Sequence, residues 1–231
     1  MSALNIAIDA MGGDDGLKAT VPAAILAAKK HADVCFTLVG DQKKIAYHMK
    51  KHGGEKCANI EVFHASETVG MDEAPALALR NKKDSSMRQA INLVKEGTSN
   101  ACVSAGNTGA LMATARFVLK MLPGVDRPAI VYALPALCSK SPSGRRPVYM
   151  LDLGANIDCS AEQLFQFGVM GSVLAQSVHH RKNLPKVRLL NIGEEEVKGL
   201  QVIKDAADLM KSCDAINYDG YIEPNDIFFS E

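Results

Sequence analysis

The sequence has 231 residues, of which 47% are hydrophobic. This size and composition are enough to bury a substantial core. The 26 basic and 26 acidic residues balance, so no global field attracts nucleic acid or an anionic membrane. Tryptophan is absent and aromatic residues make up 5% of the chain, which argues against a stacking surface for single-stranded nucleic acid.

Neither a signal peptide nor a membrane span is predicted. The amino terminus lacks a basic region followed by an apolar one, and no apolar stretch is long enough to cross a bilayer. The six cysteines are scattered without a Cys-x-x-Cys pair, and several lie in strand-like apolar runs. This pattern predicts reduced thiols in a cytoplasmic protein.

Apolar runs rich in β-branched residues alternate with segments of helical periodicity. Strands are predicted at residues 5–10, 34–39, 60–65, 101–103, 129–134, 148–153, 187–192 and 215–218. Helices are predicted at residues 18–30, 86–96, 108–122, 161–179 and 200–211. Most of the strands are continuous rather than alternating, as is typical of strands covered on both faces. The order predicts an α/β fold with a doubly wound, largely parallel sheet and helices on both faces.

The chain shows no internal repeat or long linker, so we expect residues 1–231 to form a single α/β domain, with an added subdomain as the alternative. Residues 137–147 form the one clear loop, which we expect to be mobile and exposed to solvent. Ser160 and Gln163 predict a capping box at the start of the fourth helix, and Gly97 predicts the end of the second.

Residues 104–109, with the sequence Ser-Ala-Gly-Asn-Thr-Gly, join a short strand to a predicted helix in a pattern typical of phosphate binding. Gly106 and Gly109 allow backbone N–H groups to converge on an anion, and the helix N-terminus adds partial positive charge. Three residues supply side-chain donors: Ser104, Asn107 and Thr108. The alternative interpretation is an ordinary turn between a strand and a helix.

Three other predicted strands also end in glycine beside polar or acidic residues. The residues at these strand ends are Asp9, Gly12, Gly13 and Asp14 for the first strand, Asp152 and Asn156 for the sixth, and Asn191, Gly193 and Glu194 for the seventh. The carboxyl ends of parallel strands share one edge of a sheet, so we expect these loops and residues 104–109 to surround one crevice. The alternative is that Asp and Gly are simply good turn formers.

Two histidine pairs could suggest a metal site, but each has a simpler interpretation. His179 and His180 end a predicted helix, where cationic side chains interact favourably with the helix dipole. His48 and His52 have no acidic or cysteine partner. They lie in a predicted basic, solvated helix with four lysines: Lys43, Lys44, Lys50 and Lys51. We predict neither a metal site nor a cofactor.

Six motifs lie in order along nearly the whole chain. They are IDAMGGD at residues 8–14, KKDSSM at 82–87, VSAGNTGAL at 103–111, DRPA at 126–129, LGANIDC at 153–159 and LNIGEEEVKG at 190–199. Together they resemble the PlsX family, the phosphate acyltransferases of bacterial phospholipid synthesis. The resemblance implies an enzyme that transfers a fatty acyl group from acyl carrier protein to inorganic phosphate, giving acyl-phosphate.

The resemblance also implies a fold related to isocitrate and isopropylmalate dehydrogenases and to phosphotransacetylase, and a homodimer. Family members continue beyond Glu231 through another strand, an Asp-Gly-Phe-x-Gly-Asn loop and further helices. The chain is therefore expected to be a C-terminally truncated product that lacks part of the active-site rim. Peripheral membrane contact is left open, and nucleic acid is not an expected partner.

Phosphate dianion is a competent nucleophile near neutral pH, so the reaction needs no Ser-His-Asp triad, and none is discernible. It needs a held phosphate, donors for the developing oxyanion, and a cation or proton for the departing thiolate. Lys198 is the predicted cation, and Asn156 and Asn191 are predicted to orient substrate. These three form the predicted catalytic set.

The remaining candidates are charged. Arg127 is predicted either to contact phosphate or the surroundings of the acyl chain, or to have a structural role before Pro128. Three carboxylates, Asp9, Asp14 and Asp152, are expected to arrange basic groups and loop backbones, because they would repel a phosphate that touched them.

Other functions stay open at this stage. The closest alternative is a phosphotransacetylase-like enzyme that uses acyl-CoA, and a second is an inactive truncated binding or assembly subunit. A nicotinamide-dependent dehydrogenase would need a Gly-x-Gly-x-x-Gly fingerprint, whereas only Gly-x-x-Gly occurs at Gly106 and Gly109. The lysine cluster at residues 43–51 could receive an acidic acyl carrier protein, or it could be a solvated helix face.

Overall fold

The computed structural model describes residues 4–137, 145–180, 182–195 and 198–229. The chain divides into two compact units, one of residues 1–120 and one of residues 121–231.

The first unit is built on a parallel sheet of four strands. These are β1 (Leu4–Asp9), β2 (Val34–Gly40), β3 (Ile60–His64) and β4 (Ala101–Val103), in the order β3-β2-β1-β4. In the centre of the sheet, Ile8 pairs with Leu38 on one side and with Val103 on the other. All three pairings are parallel, so the carboxyl ends of the strands meet at one edge.

Five helices belong to this unit: α1 (Leu17–Lys30), α2 (Gln42–Lys51), α3 (Pro75–Asn81), α4 (Ser86–Lys95) and α5 (Thr108–Leu119). Consecutive residues of a strand face opposite sides of the sheet, and β2 shows the consequence. Leu38 packs with residues of α1 and α2, whereas its neighbour Val39 packs with residues of α4. Helices therefore cover both faces, which confirms the parallel, two-sided arrangement predicted for this part of the chain.

The second unit contains β5 (Tyr132–Leu137), β6 (Arg145–Met150), α6 (Ala161–His179), β7 (Lys186–Leu190), α7 (Gln201–Lys211) and β8 (Asn217–Ile222). Strands β7 and β8 pair in parallel. Residues of α6 and α7 pack on these strands in one apolar cluster that includes Phe165, Leu189, Ala206 and Met210.

The expectation of a largely parallel sheet is wrong for the fifth and sixth strands, because β5 and β6 form an antiparallel pair. Only residues 138–144 separate them, and a parallel pair needs a crossover of a dozen residues or more. The fifth strand also begins later than predicted, at Tyr132. Upstream of it, the Ile130 N–H donates to the Asp152 side chain at 2.8 Å rather than to a neighbouring strand.

Most of the predicted helices are confirmed within three residues, together with their caps. Ser160 and Gln163 form the expected capping box of α6, and Gly97 follows α4 with a φ of 75°. The predicted basic helix is α2. Helix α3 was not predicted, because seven residues that begin with proline carry little periodic signal. Most of the predicted loop at residues 137–147 lies outside the described residues. Within the described ranges, no helix is long and apolar enough to cross a membrane.

Candidate active site

Asp9 is the centre of a buried hydrogen-bond network in the first unit. It is the last residue of β1 and is only 1% exposed. Its Oδ1 accepts a hydrogen bond from the Ser86 hydroxyl at 2.5 Å, and its Oδ2 accepts one from the Ser104 hydroxyl at 2.7 Å. One carboxylate therefore joins the end of β1 to the start of α4 and to the loop after β4.

The Ser104 hydroxyl is held from two sides. It donates to Asp9 and accepts from the Gly106 N–H at 3.1 Å. Since the hydroxyl hydrogen is directed at the carboxylate, Asp9 fixes the rotamer of Ser104 and, through it, the loop at Gly106. The expectation that Asp9 arranges its surroundings agrees with this geometry, although its partners are hydroxyl groups rather than cations.

The loop after β1 comes so close to this network that it requires glycine. A Cβ at Gly12 would lie 2.5 Å from Asp9 Oδ2 and 3.0 Å from the Gly106 nitrogen. Gly13 has a φ of 92°, and a Cβ there would meet the Ala105 carbonyl oxygen at 3.1 Å. The structure thus brings together the predicted glycines of the first and fourth strand exits.

Asn107 begins helix α5 and also tethers a neighbouring loop. Its Oδ1 accepts from the Ala110 N–H at 3.0 Å as the N-cap. Its Nδ2 donates to the carbonyl oxygens of Met71 and Glu73 at 2.8 and 2.9 Å. The amide group that we predicted as a phosphate donor is therefore occupied by protein partners.

The backbone of the same helix end offers donors of its own. In the described part of the chain, the N–H groups of Thr108 and Gly109 meet no hydrogen-bond acceptor. Such orphan amides at a helix N-terminus bind anions. A Cβ at Gly109 would lie 2.9 Å from Pro75 Cγ, so this glycine also permits α3 to approach. We call residues 104–109 with Gly12 and Gly13 the anion loop.

The negative charge of Asp9 also acts on a neighbouring thiol. Burial and the negative charge of Asp9 together raise the pKa of the neighbouring Cys102 thiol, so this thiol is protonated near neutral pH. Asp14 lies exposed in the loop between β1 and α1. Both carboxylates would repel phosphate on direct contact.

In the second unit, Asp152 organises the loop after β6. Its Oδ1 accepts from the Ile130 and Ala155 N–H groups at 2.8 and 3.2 Å, and its Oδ2 accepts from the Asn156 N–H at 2.7 Å. Burial would raise the pKa of Asp152, but these hydrogen bonds outweigh it and hold the pKa below its usual value. The Asn156 Nδ2 donates to Asp152 and to the Pro128 carbonyl, so this amide supports the loop.

Arg127 lies exposed before that carbonyl. It acts electrostatically on Cys159, whose thiol pKa is raised first by burial and then by Asp152, with Arg127 opposing the rise. Arg127 is therefore part of the charged surroundings of the Asp152 loop.

Asn191 and Lys198 lie together at the end of β7. Asn191 is 5% exposed, and its Nδ2 donates to the Lys198 carbonyl oxygen at 3.2 Å. Its Oδ1 is buried without a partner among the described residues. Gly199 has a φ of 90°, and a Cβ there would collide with the Asn191 amide. This contact fixes the backbone that carries Lys198.

The Lys198 side chain reaches back to the strand end. A Cβ at Gly193 would lie 2.5 Å from Lys198 Cδ, and the Lys198 ammonium lies 2.9 Å from Glu195 Oε1. The hydrogen bond and charge of Glu195 raise the pKa of Lys198. Helix α7 begins only at Gln201, and ahead of it the Lys198 N–H donates to the Glu195 carbonyl oxygen at 3.0 Å. Two residues of this motif, 196 and 197, lie outside the described residues.

The structure therefore gathers the candidates into three groups. Asp9, Gly12, Gly13, Ser104 and Gly106 lie together in the first unit; Asp152 with Asn156, and Asn191 with Gly193 and Lys198, lie in the second. The common crevice stays a prediction. Ser86 was missed as a site residue, although it lies inside the KKDSSM motif. The described ranges contain no group of three or more His, Cys, Asp or Glu arranged for a metal ion.

Comparison with known proteins gives the family. A model of the fatty acid synthesis protein family matches residues 4–231, almost the whole chain. The chain belongs to this family, the PlsX family. A phosphate acyltransferase of Francisella philomiragia is 58% identical over 231 residues, and one of Francisella tularensis subsp. tularensis is 58% identical over 229 residues.

In both comparisons the alignment covers 96% of this chain and 65% of the relative. The chain thus spans slightly less than two thirds of the length of the PlsX-family relatives that it matches.

Proposed function

We propose that this chain takes part in acyl transfer to inorganic phosphate, with the anion loop as the phosphate site. The observation that carries the proposal is a pair of amides at the start of α5 that have no acceptor among the described residues, beside a Ser104 hydroxyl that Asp9 orients. The phosphate acyltransferase name of the relatives agrees with a phosphate substrate.

In the proposed reaction a phosphate oxygen attacks the carbonyl carbon of an acyl thioester. A C–O bond forms, the C–S bond breaks, and the products are acyl-phosphate and a thiolate that takes up a proton. Because phosphate is already an anionic nucleophile, the chain needs to hold it and to manage charge rather than to activate it. We propose acyl carrier protein as the donor and a homodimer in the cytoplasm as the working form.

We propose that Lys198 stabilises the negative charge of the departing thiolate. Its raised pKa keeps the ammonium protonated near neutral pH, so it can stabilise a thiolate or donate a proton to it. Glu195 holds this ammonium through an exposed ion pair, and such pairs are weak enough to exchange. Asn191 acts through Lys198 by fixing its backbone, and is therefore a positioning residue.

The test measures phosphate-dependent release of thiol from an acyl thioester, together with trapping of acyl-phosphate by hydroxylamine. Acyl carrier protein and coenzyme A thioesters serve as donors in parallel. We expect thiol and acyl-phosphate in equal amounts, and faster release from the carrier protein. Faster release from coenzyme A would instead favour the phosphotransacetylase-like alternative, and release independent of phosphate would overturn the proposal.

A glycine variant tests the phosphate site itself. Gly12→Ala places a methyl group against Asp9 Oδ2 and the Gly106 nitrogen, so we expect phosphate binding at least about tenfold weaker by calorimetry. Gly70→Ala is the matched control, because its Cβ would meet only Glu73, at 3.9 Å. Equal phosphate affinity in both variants would rule out the anion loop as the site.

A further inference from the structure

Helix α2 presents all its lysines on one face. The helix contains four lysines and no acidic residue between Gln42 and Lys51. At 100° per residue, Lys43, Lys44, Lys50 and Lys51 fall within an arc of about 120°. Ile45 and Met49, which pack into the core, point the opposite way. The chain as a whole has no net charge, so this face is a local concentration of positive charge.

An apolar groove runs beside the lysines. It is a shallow pocket of about 260 Å³ lined by Leu17, Lys43, Lys44, Tyr47 and His48. Tyr47 is 65% exposed, and its ring lies on the lysine face of the helix. A floor of Leu17 and Tyr47 with ammonium groups around it matches a partner helix that carries both apolar and acidic side chains.

The groove opens at the same sheet edge as the anion loop. Helix α2 follows the carboxyl end of β2, and Leu17 begins the helix that follows β1. Met11 packs against Gly40 at the end of β2, and Gly13 packs against Ala105 of the anion loop. The segment from Met11 to Leu17 thus connects the two places.

Among the described residues, one carboxylate pairs with one of the four lysines, and the face keeps a net positive charge. Asp41 caps α2 and pairs with Lys44 at 3.5 Å, and the hydrogen bonds from the α2 backbone lower its pKa. Asp14 and Asp15 are exposed in the loop before Leu17. These two would repel an acidic partner from the loop, which leaves the lysines of α2 to attract it.

We propose that Leu17, Lys43, Lys44, Tyr47, Lys50 and Lys51, here called the α2 face, dock an acidic amphipathic helix of the protein that carries the thioester donor. The choice of partner rests on the proposed function. Its carboxylates pair with the lysines, and its apolar side chains cover Tyr47 and Leu17. Docking at the phosphate-binding edge brings a protein-bound thioester to the phosphate without a separate channel.

Binding of holo acyl carrier protein to the 231-residue chain, measured at low salt, tests this proposal. We expect the Lys43→Glu/Lys44→Glu variant to bind at least about tenfold more weakly, and Tyr47→Ala to bind more weakly at all salt concentrations. Lys29→Glu/Lys30→Glu is the matched control, because both lysines are exposed in the last turn of α1, at the opposite end of that helix from Leu17. It changes the net charge equally and should leave carrier binding unchanged.

Three results would overturn the proposal: no carrier binding by the wild-type chain, equal binding by the α2 variant, or equal weakening in the control. Capture of phosphatidylglycerol vesicles by the α2 face, with carrier binding intact in the variant, would assign the face to lipid instead. The proposed function is tested separately by phosphate-dependent thiol release. Carrier binding that depends on α2 in a chain that releases no thiol would support the docking surface and refute the function.

Discussion

Several polar side chains of the predicted site are already hydrogen-bonded to other groups of the protein. Asp9 holds two serines, Asn107 holds a helix end and a loop, and Asn156 holds the loop after β6. Among the described residues, the groups at the start of α5 that remain available to an anion are the Thr108 and Gly109 N–H groups and the exposed Thr108 hydroxyl, since Ser104 is already engaged with Asp9 and Gly106. Recognition by backbone is insensitive to side-chain identity but very sensitive to geometry, which explains why glycines surround the loop.

Asp9→Asn should damage both stability and anion binding. The change replaces one acceptor oxygen by an N–H₂ group facing a serine hydroxyl in a buried site, which costs about 1–3 kcal/mol of unfolding free energy. Urea unfolding measures the loss, and phosphate titration measures the loosened loop. Asp14→Asn, at an exposed position, should change the unfolding free energy by no more than about 0.5 kcal/mol. A stability loss as large at position 14 would contradict this account of Asp9.

Asp152 makes stability depend on pH in acid. Its folded pKa is lower than the value of 3.8 for a free Asp, so the unfolded chain takes up a proton first as the pH falls. The stabilisation is therefore fully present above about pH 5 and is lost as the pH falls through the folded pKa. Asp152→Asn should make the unfolding free energy fall less steeply between about pH 5 and about pH 3, as read from urea melts at each pH, and an unchanged slope would contradict this assignment.

At the scale of elements, the sequence predicts parallel strands well and their exceptions poorly. Continuous apolar runs identify β1 and β2, which pack against helices on both faces, whereas the edge strand β3 is mostly exposed. The antiparallel β5 and β6 contain Pro135 and Pro147, directly paired, and the loop sequence between the two strands has no two-residue hairpin signature such as Asn-Gly or Asp-Gly. The site contacts escaped prediction for a different reason. Ser86 reaches Asp9 across 77 positions, a distance at which no local pattern carries information.

The start of α5 provides a prediction at this scale. Asn107→Ser keeps an N-cap oxygen but is too short to reach the carbonyls of Met71 and Glu73, whereas Asn107→Ala loses both functions. We expect the alanine variant to be about 1 kcal/mol less stable than the serine variant. Hydrogen exchange should show the loop at residues 70–74 loosened in both. Equal stability of the two variants would mean that the cap contributes nothing.

At the scale of the whole molecule, the groups proposed to bind phosphate and to stabilise the thiolate belong to different units. The anion loop belongs entirely to the first unit, and Lys198 with Asn191 belongs to the second. The six motifs that carry the family resemblance are likewise split between the units, with three in residues 1–120 and three beyond. The family could be predicted from the resemblance of these motifs, whereas the partners of each side chain required the structure.

This division predicts that phosphate binding and turnover separate by variant. Lys198→Ala removes a charge that acts when the thiolate develops, so turnover should fall on the order of 10²-fold while the phosphate dissociation constant stays the same. Gly12→Ala should have the opposite pattern, with its main effect a higher phosphate dissociation constant rather than a lower turnover. Glu195→Gln, which removes the ion-pair partner of Lys198 without touching the anion loop, should leave phosphate binding unchanged as well.

Steady-state kinetics with phosphate as the varied substrate, alongside calorimetry, measures both quantities. The kinetic measurements use a parent chain already shown to release thiol, because the turnover of each variant is compared with that of the parent. If Lys198→Ala weakens phosphate binding as strongly as it lowers turnover, the lysine holds the ground-state phosphate rather than the departing thiolate. If Lys198→Ala changes neither turnover nor phosphate affinity, the ion pair with Glu195 is only a surface contact. Another group must then stabilise the negative charge of the thiolate.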